Sequence, residues 1–411
     1  MNMVQLFRHR SVFIVAVALF INSQIFSATT GNPLGIKGLQ EIFYVCLVVY
    51  TIGHFYTLLK KGKASRWDLF VIAIVLLSWI YSALLSALHF GQPFIYGLIE
   101  ERRILSFLIY FPVISVLRLG VLSEEGAFNF IIVATIVCVI ALVLVAIGII
   151  PSLQEIEVGQ SQIRQERYGI GHHYMAIAIL YCFYNISKNV NKVNSSFVIL
   201  ICYFALILIV QTRQVILGVS LAAFVIIGKL SQRGLVQVAI VIVLVAIAAL
   251  VMGTIFPEYI ERYKLLMEQT FSDDYLVYSA RSMSIRNVFD FVSEGNYLGG
   301  GALSPLWQGG FTKIYGEYFF LADIGVFGTI YKFGVFGLLI YLLYFPAQIY
   351  LIKTSGDPDK RKLYLAIFLY LLVAFPFAAI IEYRGFISGL LFSLTVFSSE
   401  KSKMEKLSWA G

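Results

Sequence analysis

Apolar residues in this chain gather in long unbroken runs rather than in alternation. The runs lie near 12–28, 39–59, 67–88, 103–117, 127–150, 173–187, 196–212, 214–228, 234–255, 333–352, 363–381 and 385–398. Runs of this kind predict about twelve transmembrane helices. The loops at 60–66, 118–126, 188–195, 229–233 and 353–362, and the tail from 401, are short and basic. The positive-inside rule therefore places them, with the N-terminus, inside. Three segments on the other side are longer: 89–103, 151–173 and 256–332. The chain reads as a single membrane domain, 1–411, with the outer segment 256–332 long enough for a lid of a few helices.

Composition agrees with a polytopic membrane protein: 59% of residues are hydrophobic, 13% are charged, and the mean hydropathy is +0.84. The net charge of +8 comes mostly from the inner lysines and implies no nucleic-acid partner. The first apolar run follows a basic start but contains Asn22, Ser23 and Gln24, so it reads as an uncleaved first span rather than a removable leader. Cys46, Cys138, Cys182 and Cys202 all fall inside predicted spans, where cysteine behaves as a small apolar residue. No internal repeat is apparent, which weighs against two-half transporter architectures.

Basic residues are sorted by type. On this topology the inside carries twelve lysines and six arginines, and the outside nine arginines and four lysines. The outer arginines are Arg102, Arg103, Arg164, Arg167, Arg213, Arg262, Arg281, Arg286 and Arg384. Orientation gives no reason for them; a planar guanidinium that bonds phosphate through two donors does. Arg213 stands in a turn of a few residues between two apolar runs, at membrane depth or its outer boundary, where a charge is costly. In 281–294 the residues Ile285, Val288, Phe289 and Val292 form one helical stripe. Arg281 lies on that stripe, and Arg286 is turned about 140° away. An arginine on a face meant for burial either meets an anion or snorkels to lipid headgroups.

Other candidates have competing readings. Arg164 and Arg167 precede a span and either bind ligand or pair with Glu157 and Glu166. Arg102 and Arg103 follow Glu100 and Glu101 and read as local ion pairs. Gly299, Gly300 and Gly301 form a flexible turn that either cradles a phosphate or is a plain loop. Asp323 lies in the otherwise apolar run 318–331, as a general base or as the partner of Lys332 or an arginine. His172 and His173 are adjacent and do not face one pocket from a helix, so no metal site is expected.

Four of these elements, in this order, resemble the O-antigen ligase and polymerase (Wzy-type) superfamily. Thr212-Arg213-Gln214 at the top of two spans resembles its Ser/Thr-Arg element. Arg281 and Arg286 leading to Leu298-Gly299-Gly300-Gly301 are similar to its arginine, helix and glycine-rich stretch. Asp323-Ile324, followed by Gly334-Val335-Phe336-Gly337, resembles its last signature, with Asp323 where ligases have the histidine of a His-Asn pair. Arg167-Tyr168-Gly169 resembles its outer-loop arginine. The likeness covers roughly 160–345, and the departure at Asp323 leans toward a polymerase.

The resemblance implies an all-α, GT-C-like glycosyltransferase of about twelve transmembrane helices with one large outer (periplasmic) loop, in a bacterial cytoplasmic membrane. Donor and acceptor would be oligosaccharides on polyprenyl diphosphate, with a chain-length regulator as a further partner and no cofactor or metal. Arg213 and Arg281 would hold the diphosphate, with Arg164, Arg167 and Arg286 as weaker contributors. Asp323 would be the base, with Glu317 close by in sequence. The alternatives are a ligase that moves finished glycan to another acceptor and a flippase for lipid-linked oligosaccharide.

Overall fold

The computed structural model describes residues 3–23, 25–26, 35–60, 62, 64–149, 170–228, 279–316 and 319–410, with isolated positions at 236, 243 and 261. Every regular element among them is helical. In chain order these are α1 (Met3–Asn22), α2 (Leu39–Lys60), α3 (Arg66–Phe90), α4 (Phe94–Glu100), a 3-10 segment (Glu101–Ile109), α5 (Tyr110–Arg118), α6 (Glu124–Ala146), α7 (His172–Ser187), α8 (Lys192–Phe204) with a π turn (Ala205–Val210), and α9 (Arg213–Ile227). Then come α10 (Ala280–Ser293), α11 (Phe311–Tyr315), a 3-10 turn (Leu321–Asp323), α12 (Gly325–Thr354), α13 (Pro358–Ala374) and α14 (Gly385–Ala410).

Five helical stretches are long and apolar enough to cross a membrane: Leu39–Lys60, Arg66–Phe90, Glu124–Ala146, Lys192–Val210 and Gly325–Thr354. Two shorter apolar helices cover Val12–Asn22 and Arg213–Ile227. On α2, Val45, Val49, Ile52 and Tyr56 form an exposed stripe at helical spacing, an apolar surface that lipid covers without cost. The other predicted runs differ from simple spans. The run 103–117 is a 3-10 segment and a short helix, buried almost throughout. The run 173–187 is a 16-residue helix buried along most of its length. The run 363–381 leaves the helix after Ala374, and 234–255 lies outside the described residues. Hydropathy measures only apolarity, so a core helix and a lipid-facing helix give the same signal.

The chain divides into two compact units. The first collects residues 1–43, 116–271 and 357–370. Its centre is α7, apolar on every side and therefore buried on every side. Phe128 stacks on Tyr181 with ring centroids 4.6 Å apart, and Tyr174 Oη donates to the Leu19 carbonyl over 2.9 Å. The thiols of Cys138, Cys182 and Cys202 are free and buried in this unit. Between α8 and α9 the chain widens into the π turn, passes Gln211 at φ +53°, and restarts at Arg213 with Thr212 as its N-cap.

The second unit collects residues 44–115, 272–356 and 371–411. Here the 3-10 segment packs against α14 through Gly385 and Gly389, one helical turn apart. A Cβ on Gly385 would stand 2.6 Å from Ser106 Oγ, and one on Gly389 would stand 2.4 Å from the Phe107 carbonyl oxygen. Small residues four apart let two backbones approach this closely. The segment 279–331 has its own core of Val288, Phe291, Phe319, Leu321, Ile324 and Tyr331 among the described residues. The buried stripe of α10 is Ser284, Val288 and Phe291, not the expected one: Phe289 is exposed, and so is Arg281. The face is turned because Tyr331 packs against Phe291, with ring centroids 4.6 Å apart, from that side.

The most consequential local feature is a break in α12 at Gly334, where φ is +55° and ψ −140°. In an unbroken helix the Val335 N–H would donate to the Tyr331 carbonyl. Here Val335 donates to the Tyr297 carbonyl (2.9 Å), and the carbonyls of Tyr331 and Lys332 accept from Gly300 (2.7 Å) and Gly301 (3.0 Å). The glycine stretch is thus neither a flexible turn nor a phosphate cradle, since its amides satisfy the severed helix. Glycine is required on both sides: a Cβ on Gly334 would lie 2.0 Å from the Tyr297 oxygen, and one on Gly299 would lie 2.6 Å from the Gly334 nitrogen.

Gly334→Ala is expected to destabilise the folded protein by on the order of 3 kcal/mol, from backbone strain and steric clash. Gly53→Ala, in helix α2 with open space around its Cβ position, should be neutral or slightly stabilising. Thermal unfolding in detergent checks both, and equal midpoints for the two variants would refute the assignment of the break.

Candidate functional site

Lys332 sits at the break, and its ammonium is not solvated. Its Nζ lies 2.8 and 2.9 Å from the two carboxylate oxygens of Glu101, and the side chains are only 5% and 2% exposed. Glu101 is itself at a discontinuity, the first residue of the 3-10 segment that follows α4. Two interrupted helices therefore bring opposite charges together out of solvent. The Tyr383 ring adds a cation–π contact 4.8 Å from Nζ.

A third element completes the surroundings: the connection 375–384 between α13 and α14. Gly325, at φ +41°, lets it approach the start of α12, since a Cβ there would collide with the Phe375 carbonyl at 1.9 Å. Val326 N–H donates to that same carbonyl over 3.2 Å. Farther along, Glu382 is buried and accepts from Thr329 Oγ1 (2.7 Å) and Tyr341 Oη (2.5 Å). Burial pushes the Glu382 carboxyl above the usual carboxylate range, and the nearby Lys332 charge opposes that rise. The Glu100 carboxyl is raised as well, by burial first and then by the Glu101 charge.

These groups border a cavity of about 310 Å³. Glu100, Glu101, Arg103, Lys332, Glu382 and Tyr383 supply its charged and polar wall, and Phe311, Phe319 and Phe320 are aromatic neighbours. Carboxylates, cations and aromatic rings around one small concavity form a site for a polar ligand with an apolar face.

The expected residues are distributed as follows. Arg281 and Asp323 meet: Arg281 Nε donates to the Asp323 backbone carbonyl over 3.0 Å, and the guanidinium lies 5.2 Å from the Phe377 ring centroid. Both residues are exposed. The contact uses the main chain of Asp323 and leaves its carboxylate outside the interaction. Arg286 is exposed on α10. Arg213, half-buried, opens α9 in the first unit, and Arg281 and Asp323 belong to the second. Arg164, Arg167 and Glu317 lie outside the described residues. Glu101 pairs with Lys332 rather than with its neighbours in sequence. Arg102 instead donates to the Ile99 carbonyl (2.6 Å), and Arg103 lies 5.6 Å from the Tyr383 ring. Lys332 is likewise taken from Asp323 as a partner.

Sequence reasoning missed Lys332, Glu101, Glu382 and Tyr383 as site residues. The signal for Lys332 was present: it is a lone charge in a long apolar stretch, two residues before a glycine. Glu382-Tyr383-Arg384 between two apolar runs carried the same signal as Arg213. No family model matches this chain, and no curated protein matches it.

Lys332→Met or Glu101→Leu alone is expected to cost about 3–5 kcal/mol, because each strands a buried charge, whereas the double variant should recover most of that loss. Thermal or denaturant unfolding of the three variants measures the difference. A double variant as unstable as the sum of the single ones would contradict a buried pair.

Proposed function

We propose that the protein is a membrane polysaccharide polymerase, a glycosyltransferase that adds a glycan carried on polyprenyl diphosphate to a hydroxyl of a lipid-linked repeat unit. The reaction would run at the outer face of a bacterial cytoplasmic membrane. The observation that carries this reading is the junction of Arg281 with Asp323. Arg281 stands in the first turn of α10 and touches Asp323, which ends the 3-10 turn two residues before α12, so two helix N-termini converge beside one guanidinium. Helix N-termini and arginine favour the same ligand, an anion such as diphosphate.

In this reading an acceptor hydroxyl oxygen attacks the anomeric carbon of the donor sugar. The bond from that carbon to the diphosphate oxygen breaks, and its electron pair leaves with the polyprenyl diphosphate. Arg281 stabilises the charge that develops on the leaving oxygen. Guanidinium groups thereby provide the neutralisation that a divalent ion provides in other glycosyl transfers. The acceptor proton passes to a carboxylate, for which Asp323 is the assigned base. Arg164, Arg167, Arg286 and Glu317 keep supporting roles toward the substrate.

A second reading has one observation in its favour. A charged pair at a broken membrane helix, with a further buried carboxylate beside it, also occurs where transporters bind substrate or protons. Purified protein in proteoliposomes, supplied with lipid-linked repeat units, separates the two: a polymerase yields a ladder of products, and a flippase yields only transbilayer movement.

Arg281→Lys keeps the charge but loses the planar two-donor geometry, and should reduce ladder formation by about 100-fold with normal membrane insertion. Asp323→Asn should abolish transfer while donor binding is retained. A wild-type-length ladder from either variant would remove that residue from the mechanism.

A further inference from the structure

Three groups at the cavity beside Lys332 carry no commitment to the rest of the protein. The Lys332 ammonium bonds both oxygens of Glu101, and both oxygens of Glu382 already accept hydroxyl groups. Glu100 is different: half-buried on the cavity wall, its carboxylate takes part in no hydrogen bond or ion pair among the described residues. Arg103 donates no hydrogen bond there among the described residues; its guanidinium lies 5.6 Å from the Tyr383 ring and its charge acts on Glu100. Phe320 lines the same space, 48% exposed, and makes no aromatic ring contact among the described residues, although Phe311, Phe319, Tyr315 and Tyr331 all contact one another.

An acceptor-only carboxylate, a donor-only guanidinium and a bare aromatic face ask for a ligand that is both donor and acceptor along its edge and apolar on its face. Vicinal hydroxyl groups on a pyranose have that character: one O–H donates to the carboxylate, its neighbour accepts from arginine, and the ring's C–H face lies on phenylalanine. The volume, about 310 Å³, is at the small end of the range for small-molecule sites, which spans about 300–1,000 Å³. Charge narrows the class further. Among the groups lining the cavity, the Lys332–Glu101 pair is neutral and the carboxylates of Glu100 and Glu382 outnumber Arg103, so a sugar acid meets more like charge there than an uncharged sugar does.

We propose that this cavity is a binding subsite for an uncharged sugar ring, held by Glu100, Arg103 and Phe320. As the acceptor subsite of a polymerase it rests on the function proposed above; as a sugar site it can be tested without turnover.

The test is saturation-transfer NMR on the full-length protein in detergent. The probes are methyl glycosides of glucose, galactose, mannose and N-acetylglucosamine, with methyl glucuronide as the acidic comparison. At least one neutral glycoside should bind saturably in the millimolar range, and the glucuronide about tenfold or more weaker. Glu100→Gln keeps size and shape, and should weaken the neutral glycoside several-fold while narrowing its advantage over the glucuronide. Phe320→Leu should weaken the neutral glycosides by a similar factor, with thermal midpoints showing that both variants remain folded. Absence of saturable binding by every neutral glycoside, or binding unchanged in both variants, would overturn the subsite. A protein that binds these glycosides through Glu100 and Phe320 but forms no ladder would refute the polymerase reading alone. One that forms a ladder but binds no glycoside would refute the subsite alone.

Discussion

Backbone groups inside an apolar protein must find hydrogen-bond partners, and this requirement shapes the whole second unit. Where α12 is severed at Gly334, a donor and two acceptors lose their helical partners. The segment 297–301 supplies replacements one for one, an acceptor at Tyr297 and donors at Gly300 and Gly301, and only glycine fits on either side of the crossing. Through this repair the segment around α10, with its aromatic core, is tied to α12. It also fixes Lys332 in place, turned toward the start of the 3-10 segment and Glu101.

The buried pair follows from that geometry and would be costly without it. Two charges removed from water regain the loss only with close, multiple contacts, and Lys332 makes two bonds to one carboxylate with an aromatic ring over its ammonium. The connection 375–384 closes the other side, bringing Glu382 and Tyr383 to the cavity and Phe377 to Arg281. One short loop therefore touches both the cavity and the arginine proposed to hold diphosphate. The proposed chemistry, donor phosphates at the helix N-termini and acceptor sugar in the cavity, needs the two to be neighbours.

Much of the architecture was legible in the sequence, and the exceptions share a physical cause. The helical character and five stretches apolar and long enough to cross a membrane followed from hydropathy, whereas Arg281 and Asp323 were joined only through the family resemblance, and they meet through the main chain of Asp323. Hydropathy did not separate α7, buried in a protein core, from α2, with a face for lipid, because both are apolar. The stripe of α10 was misplaced by one residue at Phe289, since four apolar side chains within eight positions fit two neighbouring faces. Local proximity misled at Glu101: Arg102 and Arg103 are adjacent in sequence, yet the helix ending at Glu100 turns the carboxylate toward a lysine more than two hundred residues away. Such pairings depend on where two helices break, and a break made by Gly334 has no hydrophobic periodicity to announce it.

The most direct measurement is an experimental structure of the protein in a lipid nanodisc with a non-transferable polyprenyl-diphosphate sugar. The diphosphate is predicted against the first turn of α10, with phosphate oxygens within about 2.9 Å of the Arg281 guanidinium. A sugar ring is predicted in the cavity between Glu100, Arg103 and Phe320. A diphosphate bound elsewhere, with Arg281 still on the Asp323 carbonyl and the cavity empty of sugar, would contradict it.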